Sequence, residues 1–213
     1  AYTCYDKHCD LICLTEESNM QHISIRIINE EHASLSSVLQ SIRMMLKRGH
    51  QNSPEAFFDV MRAMLFYIDE IPEKQHHIKE STLLFPLLAA RSAHCADVIE
   101  QLEKDHDKGE PAVRELQHLL VAWEMLGESR RKEFEEETLK YIDFYSAHMH
   151  LEETVILPEA LKILTAEDWK NLDSAFQSNT DPLSERIQRI PMYDRLFTKI
   201  VMRAPAPIGL GHS

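Results

Sequence analysis

The sequence predicts an all-α protein: an up-down four-helix bundle with an N-terminal arm and additional short helices at its C-terminus. Three observations predict it. Apolar residues recur at the helical period through four long stretches, and the chain of 213 residues holds only 5 glycines. A histidine stands in the apolar seam of each stretch, and the four histidines fall at matching heights when the stretches are folded antiparallel. At 44% hydrophobic residues the chain can build the core of one domain.

The elements follow in order. Residues 1–17 lack a sustained period and read as an arm carrying Cys4, Cys9 and Cys13. Residues 18–164 form the bundle. Ser18 is placed to cap a first helix running to about Gly49, with Ile25, Ile28, His32, Leu35, Leu39, Ile42 and Leu46 alternating at spacings of three and four. Pro54 opens a second stretch to about residue 91, which Pro72 is expected to kink or break. A third helix, about 94–126, presents Val98, Leu102, His106, Gly109, Val113, Leu116, Leu120 and Trp123 on one stripe. Gly127 closes it, and Ser129 is placed to cap a fourth helix to about 164, whose face carries Phe134, Tyr141, Tyr145, His148, Glu152 and Val155. Residues 165–213 form a C-terminal extension. Thr165-x-x-Asp168 opens a short helix there, Asp181-Pro182 begins a last amphipathic segment, and Pro205-Ala206-Pro207 with Gly209 and Gly211 reads as a frayed tail.

One phrase occurs twice. His76-x-x-x-Glu80 is followed six residues later by Pro86, and His148-x-x-x-Glu152 six residues later by Pro158, so each phrase lies 72 positions from its copy. Residues four apart share a helix face, so each phrase projects an imidazole and a carboxylate in one direction. The midpoint of His76 and Glu80 lies about 13 residues before the turn near 91–93 and His106 about 13 after it, roughly 20 Å on each side. His106 and the His148–Glu152 pair are likewise balanced about the turn near 127–129, and His32 joins them more loosely. Six candidate ligands thus meet at one level: His32, His76, Glu80, His106, His148 and Glu152. Four imidazoles with two carboxylates suit iron, with manganese possible, and are too many donors for one tetrahedral zinc. Two inward-facing glutamates in a pseudo-twofold bundle are how carboxylate-bridged pairs of metals are held. A bridged pair would leave positions for O2, NO or peroxide.

These residues resemble the hemerythrin-like HHE cation-binding family, in its branch with His, His-x-x-x-Glu, His, His-x-x-x-Glu, which includes the di-iron iron–sulfur cluster repair proteins. The resemblance covers residues 22–164 and rests on Glu31-His32, His76–Pro86, Asp105-His106 and His148–Pro158. It implies two iron ions, oxo- or hydroxo-bridged, with both glutamates spanning them. The oxygen carriers' His-x-x-x-His and His-x-x-x-x-Asp are absent, so four imidazoles rather than five are expected, and oxidation rather than reversible O2 carriage. The expected function is a non-haem di-iron protein that binds or senses O2, NO or peroxide, in a stress response. The alternatives are a di-iron redox enzyme reducing peroxide or NO, and an iron donor in cluster repair.

The remaining polar residues have plainer readings. His77 and His150 have Ser81 and Thr154 at i+4 and read as supporting or surface residues. Glu110, four after His106, is a candidate seventh ligand, against which Gly109 argues close packing. Tyr141 and Tyr145 are core residues with a polar tip, or donors to a bound oxygen species. Cys95 reads as a small buried residue and the methionines as core filler. The formal charge of -12, with 35 acidic residues, argues against nucleic acid and anionic membranes as partners. There is no run long enough to span a bilayer, no secretory signal pattern, and cysteine spacing unlike a disulfide framework or a zinc site; together these lead to an expected cytoplasmic location.

Overall fold

The computed structural model describes residues 22–50, 53–184 and 191–211. The arm with its cysteines, and Ser18, lie outside them. Six helices occur among the described residues, and no strand. Helix α1 spans Ile23–Arg48. Helix α2 covers residues 54–89 without interruption, α3 spans Ala96–Leu126, and α4 covers residues 131–163. Helix α5, Ala166–Phe176, lies on α1, and α6, Asp194–Arg203, lies on α2. The first four pack each against its two neighbours as the bundle.

The predicted stripes are the buried faces. Ile25, Ile28, Leu35, Leu39, Ile42 and Leu46 of α1 are all buried, as are Leu102, Val113, Leu116, Leu120 and Trp123 of α3. Two apolar clusters result. One lies towards the turn between α2 and α3, built on Phe85, Leu88, Leu102 and Trp169. The other lies towards the opposite end, built on Met61, Met64, Trp123 and Phe134. A polar layer separates them, and it contains every histidine picked out by the seams.

Pro72 does not break α2. The helix widens instead: over Asp69–His76 the backbone takes the i→i+5 register, with the His77 N–H donating to the Pro72 carbonyl. The same register returns over Glu80–Leu84 and, in α4, over Glu152–Ile156, each just ahead of a proline. Such π turns reconcile a proline's missing donor with a continuous helix, and they re-aim the residues they contain. The wider register loosens the usual i−4 partners, and two threonines compensate. The Thr82 hydroxyl donates to the Ile78 carbonyl at 2.5 Å, and Thr154 to that of His150 at 2.6 Å. Both π turns therefore begin at the glutamates of the duplicated phrase.

Other details differ from the sequence reading. Ser129 caps nothing: a 3-10 turn, Glu128–Arg130, leads into α4 with no side-chain cap, and Gly127 alone makes the reversal at φ 88°. Thr165 and Asp168 do form the capping box, and Arg91 pairs with Asp168 at 2.6 Å, holding its carboxyl at about 2 together with Thr165. The last helix begins at Asp194 rather than near Asp181, where the chain turns. The tail is not frayed. The buried Ser41 hydroxyl donates to the Pro205 carbonyl at 2.9 Å and accepts the Ile208 N–H, fixing the tail on α1.

Candidate metal centre

All six candidate ligands converge in the polar layer, each at most a few per cent exposed except His106, which is slightly more open. They fall into two groups of donor atoms within 4.8 Å of one another. One comprises His32, His76, Glu80 and Glu152; the other comprises His106, His148 and Glu80, joined by His77. Within the first, His32 Nε2 lies 3.2 Å from His76 Nε2 and from Glu152 Oε2, and His76 Nε2 lies 3.2 Å from Glu80 Oε1. Within the second, His148 Nε2 lies 3.2 Å from His106 Nε2 and from Glu152 Oε1, and His106 Nε2 lies 3.6 Å from Glu80 Oε2. Each glutamate therefore turns one oxygen to each group.

These residues fit a pair of metal ions. All four oxygens of Glu80 and Glu152 are buried, and they face only imidazole nitrogens, at 3.2 Å or more and without good hydrogen-bond geometry. Such carboxylates are costly to bury unless a cation answers them. Donors around an octahedral ion with bonds near 2.1 Å stand about 3.0 Å apart when adjacent and about 4.2 Å when opposite. The observed spacings match that pattern.

The outer ring nitrogens are held in a way that frees the inner ones. The Nδ1–H of His76 donates to Glu31 at 2.7 Å and that of His32 to Glu153 at 3.0 Å. That of His106 donates to the Ser81 hydroxyl at 2.8 Å, which itself donates to Glu103 at 2.9 Å. His148 Nδ1 lies 3.7 Å from Asp105. Acceptors on Nδ1 fix the tautomer whose Nε2 lone pair points inward, the usual support of a metal-bound histidine. The supports obey the duplication. Glu31 and Asp105 each precede a single histidine and face the histidine of the paired phrase, Glu31 by a hydrogen bond and Asp105 only across 3.7 Å, while Ser81 and Glu153 each follow a glutamate and accept from the single histidine of the other half.

The field in the pocket calls for cationic charge. Burial opposes charging His32, but Glu152 and Glu153 outweigh it and raise the imidazole to about 9. His76 is likewise raised against burial by Glu80 and Glu31, and His148 by Glu152. Burial and the charge of Glu152 push Glu80 up, whereas His148 and His32 hold Glu152 well down despite its burial. His77 and His106 go the other way, His106 to about 2, through burial and the neighbouring histidines' charge. Both remain neutral, the form that binds metal.

The structure sorts the plainer residues too. His150 is exposed, and Glu110 pairs with Arg114 outside both groups. Tyr141, at 3.1 Å, and Tyr145 both donate to the buried Glu73 rather than into the centre. Gly109 leaves room for that contact: a Cβ there would lie 2.1 Å from the Tyr145 hydroxyl oxygen. Cys95 is buried, and burial raises its thiol. His77, 4% exposed, is a buried residue and not a surface one, whereas the supports Glu73, Ser81 and Glu153 escaped the sequence reading. Looking four residues back from His77 as well as four forward would have found Glu73.

No helix among the described residues is long and apolar enough to cross a membrane. No curated protein gives a significant match to the chain. A family model does, over residues 23–160, which takes in α1 to α3, most of α4 and both donor groups. The chain belongs to the family of the hemerythrin HHE cation-binding domain.

Proposed function

We propose that this protein carries a non-haem di-iron centre on His32, His76, Glu80, His106, His148 and Glu152 and uses it to bind or sense O2, NO or peroxide. One observation carries the reading: two buried glutamates each turn one oxygen to each of two imidazole-bearing groups. Nitrogen and carboxylate donors favour iron, with manganese the alternative metal. When bound, the pair supplies redox chemistry and affinity for small oxygen and nitrogen ligands. The protein's own residues fix the imidazole tautomers and keep the ions apart from bulk water in a layer closed above and below by apolar side chains. In this reading residues 18–164 are the metal-binding unit and 165–213 an extension that braces it. The partner is a diatomic or peroxide ligand rather than nucleic acid or a membrane, and the setting is the cytoplasm under oxidative or nitrosative stress.

A second reading, di-iron reduction of peroxide or NO, has one observation in its favour. Glu73 lies beside His77, and burial raises its carboxyl to about 7 against the hydrogen bonds of Tyr145 and Tyr141. It can therefore hold or give up a proton near neutral pH, as reductive chemistry requires. Metal analysis with absorption spectra under air, then after peroxide or NO, tests both. About two irons per chain and a spectrum changed by stoichiometric ligand support binding or sensing. Steady-state consumption of peroxide or NO moves the enzyme ahead, and a chain purified with zinc alone and inert to iron overturns both.

A further inference from the structure

A column of rings leads outward from the His106 side of the polar layer. His77 stacks on His106 with centroids 4.3 Å apart and planes within 17° of parallel. Tyr145 follows, 5.6 Å from His77 at 13° and 5.6 Å from His148, and Tyr141 lies 4.8 Å beyond it. Both phenols donate to one oxygen of Glu73, Tyr141 at 3.1 Å, and the other oxygen takes the His77 Nδ1–H at 3.1 Å. Glu73 is buried, in space that Gly109 leaves open. Tyr141 also lines a surface crevice between α3 and α4, with Lys108, Leu116, Lys140 and Phe144. An outer ring lies against the His32 side too, that of Phe176, 6.3 Å from His76, but a phenyl ring has no acidic hydrogen to lose. A buried phenol gives up an electron readily only if its proton leaves with it, because the cation left otherwise is costly in an apolar interior. Glu73 is a base already bonded to both phenols.

We infer that Tyr145 and Tyr141 are an electron relay between the centre and this crevice, supplying the two electrons that peroxide draws once both irons are ferric. The inference rests on the di-iron reading above and deepens its peroxide branch. Peroxide takes up two electrons and two protons, its O–O bond breaks, and two waters result. Each tyrosine gives one electron, inward through the rings of His77 and His106, and one phenolic proton, taken in turn by Glu73. The two protons end on the two waters, and two neutral tyrosyl radicals remain. A small phenolic reductant in the crevice restores each tyrosine by giving it one electron and one proton, becoming a phenoxyl radical itself. The relay thus moves the oxidising equivalents away from the ligands to a place where a reductant reaches them.

The test is rapid freezing of the full-length ferric protein after hydrogen peroxide, with iron content measured on every sample. A tyrosyl radical is expected in the absorption and EPR spectra, and its EPR signal should narrow when the protein is grown on ring-deuterated tyrosine. Tyr145→Phe should lose the signal at unchanged iron content. Tyr141→Phe should keep it on Tyr145, while hydroquinone quenches it more slowly than in the wild type. Glu73→Gln keeps an acceptor oxygen but is no base, so the radical should form about 10-fold more slowly or worse, an effect that a merely structural role would not produce. Two irons per chain without a tyrosyl radical, or the same signal in Tyr145→Phe, overturns the relay and leaves the di-iron reading standing. One iron per chain with a radical that depends on Tyr145 keeps the relay and overturns the metal pair. One iron or none, with no radical, overturns both.

Discussion

The two helix hairpins, residues 23–89 and 96–163, supply the same donors but are not supported alike. In the first, His76 donates to Glu31 at 2.7 Å, and Glu31 is itself held by the Asn179 amide at 3.0 Å. In the second, Asp105 stands 3.7 Å from His148, whose Nδ1 has no hydrogen-bond partner, and takes the Gln101 amide at 2.7 Å instead. The cause is the extension. After α5, whose Asp173 accepts from the backbone and hydroxyl of Ser24, the chain crosses the seam of α1 and α2. Thr180 donates to the Gln75 side chain there, and Lys79 to the Ser178 hydroxyl at 2.8 Å. What the duplication copied is symmetric; the later, uncopied chain stiffens one half. A near-twofold set of donors is thus held more firmly on one side than on the other.

The largest expected effect would break any asymmetry. Glu80 and Glu152 each face both groups, so Glu80→Ala and Glu152→Ala should each lower metal content from about two per chain to near zero. Loss of one ion only, in either variant, would show that the carboxylates do not span the pair. Chelation of the wild type should lower the melting temperature by on the order of 10 °C or more, since ions bound far above their dissociation constants stabilise the folded chain by several kcal/mol. Equal melting with and without metal would show that the polar layer does not need it.

The next effect separates the hairpins. Glu31→Ala should weaken metal affinity about 10- to 100-fold, the usual cost of removing a carboxylate behind a ligating histidine. Asp105→Ala should cost distinctly less, because its contact with His148 is long and not a hydrogen bond. Competition against a chelator of known affinity measures both, and equal losses would erase the distinction. Asn179→Ala should give a smaller, few-fold loss, since it acts on His76 only through Glu31. A loss as large as that of Glu31→Ala would mean that the extension itself holds the ion.

The sequence made the symmetric part of this arrangement legible and left the asymmetric part hidden. His32 and His106 betrayed themselves by filling places in a stripe of Leu, Ile and Val, and the paired phrases by recurring at fixed distance. Those are local periodic signals, and the fold preserved them. His77 has no carboxylate four residues ahead, where Ser81 stands, and its partner Glu73 lies four behind. The π turns depend on how Thr82, Thr154 and the prolines share out backbone partners, which periodicity alone does not register. The grip of Asn179 on Glu31 spans 148 residues, and the anchoring of the tail on Ser41 spans 164. Contacts of such range leave no pattern along the chain.

A last effect, read on stability and not on metal affinity, tests whether bracing the first hairpin carries a cost. Asp181 follows the segment that holds Glu31 and Gln75 and is buried at 8% exposure. Burial raises its carboxyl from 3.8 to about 6, against the pull of the Leu183 N–H, which donates to it at 2.8 Å. An acid raised on folding binds its proton more tightly in the folded state. Its contribution is therefore fully favourable below about pH 4 and is lost as pH rises through 6. Above that the buried charge costs about 1–3 kcal/mol. Asp181→Asn keeps an oxygen for the Leu183 N–H and removes the charge. Metal-free protein should then melt several degrees higher than wild type at pH 7.5, and within a degree or so of it at pH 4. Using metal-free protein at both values keeps ligand protonation in the centre from entering only one of them. If the two proteins melt together at pH 7.5 as well, the segment covering the first hairpin carries no such cost, and the stiffer half of the centre is also the more stable one.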